Sequence, residues 1–138
     1  MSEKQFVVKD SGARQSFETG AVRDLQAGKG RFDLIPPIVV RRLAKHFENG
    51  AVKYGDNNWQ KGIPLARYLD SLERHVNCLK AGEPTEDHIA AIIWNATCYM
   101  WTLNEIETGY LPDSLDNRPL PEPQYRSFPP PFKAKDSL

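Results

Sequence analysis

From Ile89 to Trp101 the chain reads IAAIIWNATCYMW, which is apolar on nearly every face of a helix. Such a helix has no side to offer water, so it must be the central, buried element of the fold. Thr85 is a good side-chain cap for its start, Glu86 and Asp87 lie at its positive N-terminal end, and Gly109 closes it. Within it His88, Ala91, Asn95, Cys98 and Thr102 recur at heptad-like spacing. They form one narrow stripe, small and polar where the rest of the helix is bulky.

Two further helices are legible from their period. Pro36 and Pro37 suit the first turn of one, and Val40, Leu43, Ala44, Phe47, Ala51 and Tyr54 keep helical spacing as far as Gly55. The loop GDNNWQKGIP follows. The next helix begins near Pro64, carries Leu65, Tyr68, Leu69, Leu72, Val76 and Leu79 as an apolar stripe, and ends at Gly82. Asp70, Glu73, Arg74 and Asn77 share its opposite face. The expected fold is therefore all-α: a bundle of three main helices over residues 36–110, preceded by an irregular arm over 1–35 with short strand or helix pieces. Residues 111–138 hold seven of the chain's eleven prolines and are expected to be an extended tail, either mobile or laid along a neighbouring surface. Three helices leave part of the central one uncovered. A homodimer or homotetramer that completes a four-helix-type bundle is the natural remedy.

Charge narrows the partners. Lys plus Arg and Asp plus Glu each number 18, so bulk electrostatic binding to a nucleic-acid polymer or a membrane is not expected. No apolar run reaches transmembrane length, and MSEKQFVVKD lacks the apolar stretch of a signal peptide, so the expected location is the cytoplasm. Cys78 and Cys98 both fall in predicted helices without metal-type spacing and read as two buried free thiols.

Several side chains suit chemistry, each beside a plainer role. In GAVRDLQAGKGRFDLIPP the glycines let backbone N–H groups approach an anion, and Lys29 and Arg31 add charge. Lys53 and Arg74 extend that basic set. The stretch is not a P-loop, because the Gly-Lys-Ser/Thr ending is absent. Asp70 and Glu73 project side by side and, with Glu48 from the first helix, offer oxygen ligands of the kind Mg²⁺ takes; the plainer reading is a solvated face with helix salt bridges. Glu86 and Asp87 serve by default as helix-end charges. Trp59 either caps the core or stacks on a base. Asn95 is either a satisfied buried amide at a helix crossing or part of a pocket wall. His75, at the border of an apolar stripe, is a structural hydrogen-bonding residue or a catalyst.

Taken together, GAVRDLQAGKGRFDLIPP, ENGAVKYGDNNWQKGIPL, YLDSLERH and EDHIAAIIWN resemble a phage-associated family, the dATP/dGTP diphosphohydrolase N-terminal-type domain, over residues 14–110. The matching positions are Gly28, Lys29, Arg31, Asp33, Leu34, Pro36 and Pro37, then Gly50, Ala51, Lys53, Tyr54 and Gly55, then Asn58 and Trp59, Arg74 and His75, and His88 and Asn95. The resemblance implies kinship with the all-α MazG-like and MazZ-like pyrophosphohydrolases, which hold Mg²⁺ through Glu-x-x-Glu and Glu-x-x-Asp pairs. At 88–91 this chain reads His-Ile-Ala-Ala where the second pair would stand, and Asp70-Ser-Leu-Glu73 is the stand-in for the other.

The function so implied is Mg²⁺-dependent hydrolysis of a deoxynucleoside triphosphate to a monophosphate and pyrophosphate, with Mn²⁺ as a substitute ion. Glu48, Asp70, Glu73 and Asp87 would hold the metal, and Glu48, Asp70, Glu73 and His75 would be the catalytic set. Lys29, Arg31, Lys53 and Arg74 would hold phosphates, and Asn58, Trp59, His88 and Asn95 would contact base or sugar. The departure at 88–91 supports a second reading, a phage protein that binds and sequesters a nucleotide without hydrolysing it. A third is an assembly module built around the Pro-rich tail.

Overall fold

A computed structural model describes residue 10 and residues 12–119. The arm opens with a small antiparallel hairpin, β1 (Arg14–Ser16) and β2 (Val22–Asp24), in the register Arg14 to Asp24 and Ser16 to Val22. A 3-10 turn at Phe32–Leu34 leads to the first helix, α1 (Pro37–Tyr54). Pro37 is its first residue, where a missing N–H costs nothing. A second 3-10 turn at Asn58–Lys61 precedes α2 (Leu65–Ala81), which Gly82 ends in the left-handed conformation, φ 70°. The last long helix is α3 (His88–Glu107), followed by a 3-10 turn at Asp113–Leu115. The mainly-α three-helix architecture expected from the period is the one observed.

The start of α3 differs from expectation. Thr85 lies outside the helix, and Asp87 is the cap, its carboxylate accepting from Ala90 N at 3.1 Å. Arg42 of α1 fixes the choice. Its guanidinium grips both oxygens of Asp87, Nε at 2.7 Å from Oδ2, and so anchors the residue that opens the helix.

The stripe on α3 turns out to be its most buried face. His88, Ala91, Asn95, Cys98 and Thr102 are all buried, whereas the bulky Ile89 and Met100 are 43% and 69% exposed. Small side chains let a neighbouring helix come close, and α3 packs along α2, where Leu65, Tyr68, Cys98, Leu103 and Ile106 form the core. Burial pushes the Cys98 thiol up to about 12, so it stays protonated. Cys78 is only half-buried, contrary to the expectation of two buried thiols. α1 packs on α3 as well, but α1 and α2 barely touch each other. The bundle is thus a spine with two arms and a gap between them.

The proline-rich region does not begin as a free tail. Leu111 and Leu115 pack against the core, and Leu115 lies so close to Gly62 (φ 108°) that a Cβ there would meet its Cδ1 at 2.9 Å. Asn117 Oδ1 accepts from Ala66 N at 2.9 Å. It serves as a cap supplied from 51 residues away, where Pro64 has no polar side chain to offer. Residues 120–138, the greater part of the expected tail, lie outside the described residues.

Two stability effects follow from these contacts. Asn117→Ala should cost about 1 kcal/mol in urea unfolding, the usual worth of a helix cap. The Arg42 guanidinium holds the Asp87 carboxyl down at about 2, against an ordinary 3.8. A depressed carboxylate stabilises the fold above its unfolded value and loses that contribution as pH falls through its folded value. The melting-temperature gap between wild type and Asp87→Asn should therefore be widest above about pH 4 and close towards pH 2.

Candidate functional site

The gap between α1 and α2 is a cavity of about 590 Å³, the size of a small-molecule site. Each element supplies part of its wall. α1 contributes Phe47, Glu48, Ala51 and Tyr54, and the following loop contributes Asp56, Asn58 and Trp59. α2 contributes Arg67, Tyr68, Asp70, Ser71 and Arg74, and α3 forms the back with Trp94 and Asn95.

Aromatic rings make the apolar side. Phe47 lies 5.8 Å from Trp59 and 6.0 Å from Trp94 between ring centroids, and Trp59 meets Trp101 edge-on at 4.8 Å. Tyr68 stands edge-on to Trp94 at 6.2 Å, and burial pushes its hydroxyl up to about 12, so it remains neutral. Trp59 therefore does cap the core, and it lines the cavity as well. Asn95 also has both roles weighed for it. It is 3% exposed and donates its amide to Ala91 O at 2.8 Å, yet it forms part of the cavity wall.

The charged side carries both signs. Arg74 reaches Asp70 at 3.2 Å, with the side chains 61% and 70% exposed. A pair so wetted holds weakly and leaves both groups free to turn towards a ligand. Among the described residues, no three His, Cys or carboxylate donors of this cavity approach one another closely enough to cage an ion unaided.

Six of the residues singled out from sequence meet in this cavity: Glu48, Asn58, Trp59, Asp70, Arg74 and Asn95. The rest stand elsewhere. Lys29 pairs with Asp24 at 3.0 Å and Arg31 grips Asp33 at 2.7 and 2.8 Å, both on the exposed arm. Lys53 lies over the Tyr54 ring at 5.1 Å from its centroid. Glu73 is exposed on α2 outside the wall, and Asp87 is engaged by Arg42 and by the start of α3. His75 and His88 face each other near the loop between α2 and α3, their Nδ1 atoms 3.0 Å apart.

Sequence reasoning passed over Arg67 and Asp56, and it read Tyr54 only as a helix-period and family-motif position, without a site role. Arg67 carried a usable signal. Arg67, Asp70, Ser71 and Arg74 fall at i, i+3, i+4 and i+7, so reading the polar face of α2 one turn earlier would have included it. Asp56 belongs to a loop, where no period points to a direction.

No helix among the described residues is long and apolar enough to cross a membrane. Searches of curated proteins and of solved structures gave no match. The family described as dATP/dGTP diphosphohydrolase, N-terminal, matches residues 19–109, which take in the end of the arm, all three helices and every residue of the cavity wall. This chain belongs to the dATP/dGTP diphosphohydrolase N-terminal domain family.

Proposed function

We propose that the chain is a Mg²⁺-dependent hydrolase that cleaves a deoxynucleoside triphosphate, dATP or dGTP by the name of its family, to the monophosphate and pyrophosphate. One observation carries the reading. A single cavity of about 590 Å³ sets aromatic walls against two guanidinium groups and three carboxylates, the complement of a base joined to a metal-bound polyphosphate.

Each wall then has a part. Trp59, Tyr54 and Phe47 take the base, because aromatic faces stack on it with little regard to sequence. Asn58 and Asn95 offer amide groups to base or sugar. Arg67 and Arg74 hold the β- and γ-phosphate oxygens, a task suited to planar multi-donor groups. The donor chemistry fits Mg²⁺: Glu48 and Asp70 bring hard carboxylate oxygens into one cavity from α1 and α2. Such an ion is commonly held by one or two carboxylates together with phosphates and waters, so a full protein cage is not needed. Bound there, Mg²⁺ would offset phosphate charge and ease deprotonation of the attacking water. Water adds to the α-phosphorus, the bond from that phosphorus to the α–β bridging oxygen breaks, and its electron pair leaves with pyrophosphate. Asp56 or Glu48 accepts the water's proton at a carboxylate oxygen.

The assembly is proposed to be a homodimer or a dimer of dimers. Ile38, Val40, Ile89 and Met100 are 54%, 55%, 43% and 69% exposed on α1 and α3, more bulky apolar surface than a lone chain needs to show.

Asp70→Asn should lower pyrophosphate release by about 100-fold or more, since a ligand and its charge are both lost. The fold should be unharmed, because an exposed swap of equal size rarely costs more than about 0.5 kcal/mol. Hydrolysis at the wild-type rate would remove Asp70 from the site, while tight nucleotide binding with no turnover in the wild type would favour the sequestering alternative. Light scattering at micromolar concentration should give twice or four times the chain mass of 15.7 kDa, and a monomer would refute the assembly.

A further inference from the structure

Away from the cavity, at the loop joining α2 to α3, three donor atoms from different parts of the chain face one another. His75 Nδ1 and His88 Nδ1 are 3.0 Å apart, and Glu86 Oε1 stands 3.6 Å from the first and 3.8 Å from the second. We propose that His75, Glu86 and His88 bind a divalent transition-metal ion of the zinc class, which clasps the end of α2 to the start of α3.

Geometry is the first ground. A triangle with those three sides has its centre about 2.0 Å from every corner. That is the length of a zinc–imidazole or zinc–carboxylate bond, about 2.0–2.2 Å. An ion at or just off that point would touch all three atoms without rearrangement of the backbone.

The second ground is that a proton cannot do the same work. One proton between the imidazoles satisfies the 3.0 Å contact, but Glu86 then remains beyond hydrogen-bond length from both rings. A divalent cation satisfies all three lone pairs together. The carboxylate adds the negative charge that such an ion requires.

Burial and protonation agree. The His88 side chain is 4% exposed and that of His75 14%, so both rings are held in place by packing. Partial burial pulls the His75 pKa below its ordinary value, which favours the neutral, ligating form. A further half-buried thiol, Cys78, and the carboxylate of Glu83 come within 4.8 Å of a His88 nitrogen, so the same corner is rich in zinc-type donors. Nitrogen donors also separate this site from the cavity, whose all-oxygen carboxylates suit Mg²⁺.

The test uses the full chain, stripped with a chelator and titrated with Co²⁺, a spectroscopic stand-in for zinc. One equivalent should bind and give visible d–d bands of low-symmetry coordination, which Zn²⁺ should abolish and millimolar Mg²⁺ should not. Saturating Zn²⁺ should raise the melting temperature by about 5–10 °C. Glu86→Gln should weaken Co²⁺ binding at least tenfold and remove most of that thermal gain. Glu86 has a half-exposed side chain, so this variant keeps the fold, which substitution of the buried His88 would endanger. A wild-type chain that binds no Co²⁺, or a Glu86→Gln chain that binds it as tightly as wild type, overturns the site and leaves the two rings sharing a proton. Neither result bears on the Mg²⁺ chemistry proposed for the cavity, which has its own variant and readout.

Discussion

The distance at which α2 can approach α3 governs the rest of this structure. It is set by a stripe of small and polar residues, Ala91, Asn95, Cys98 and Thr102, buried where a conventional core would place its largest side chains. Close approach there brings Leu65 and Tyr68 of α2 into full burial. It also commits one face of α3 to α2. α1 must then lie on a different part of α3, and the two outer helices are held apart because they share the spine and not each other. The cavity is the consequence of that division. Its back wall is α3, and its sides are the inner faces of two helices that barely touch.

The same division explains why the polar chemistry collects where it does. Most ion pairs on the surface are local: Arg31 with Asp33, Lys45 with Glu48, Arg74 with Asp70. Arg42 with Asp87 is different, since it joins α1 to the first turn of α3 and sets where that helix begins. Asn117 plays a comparable part at the other end of the bundle by capping α2. Two long-range polar contacts thus fix the starts of α2 and α3, two of the three helices that line the cavity. Between these fixed ends the cavity keeps charges that are only loosely paired.

Much of the fold was legible beforehand. The helical period of α1 and α2, the prolines before them and the glycines after them placed both elements to within a residue or so. The stripe on α3 was visible as a spacing. That it would be the buried face was harder to see, because hydrophobicity alone directs Ile89 and Met100 inward, and they stand partly in water. The hairpin at Arg14–Asp24 was legible only as short strand or helix pieces in the arm, and the contacts that return Leu111–Asn117 to the core were not legible. Neither has a sustained period, and each depends on a partner elsewhere in the chain.

For the candidate site, sequence supplied the residue types and tertiary structure selected among them. Composition, helix period and the motifs that mark the family were determined by the sequence itself, since each rests on local spacing. Which cations and carboxylates meet was decided only by packing. Lys29 and Arg31 looked as promising as Arg74, yet the arm binds them to Asp24 and Asp33, while the gap between α1 and α2 gathers Arg74 with Arg67, Glu48 and Asp70. His75 and His88 are thirteen residues apart and became a pair only when the α2–α3 loop turned one helix back on the other. A charge or a ligand acts over a few ångströms, and the three-dimensional path of the chain decides which distances become that short.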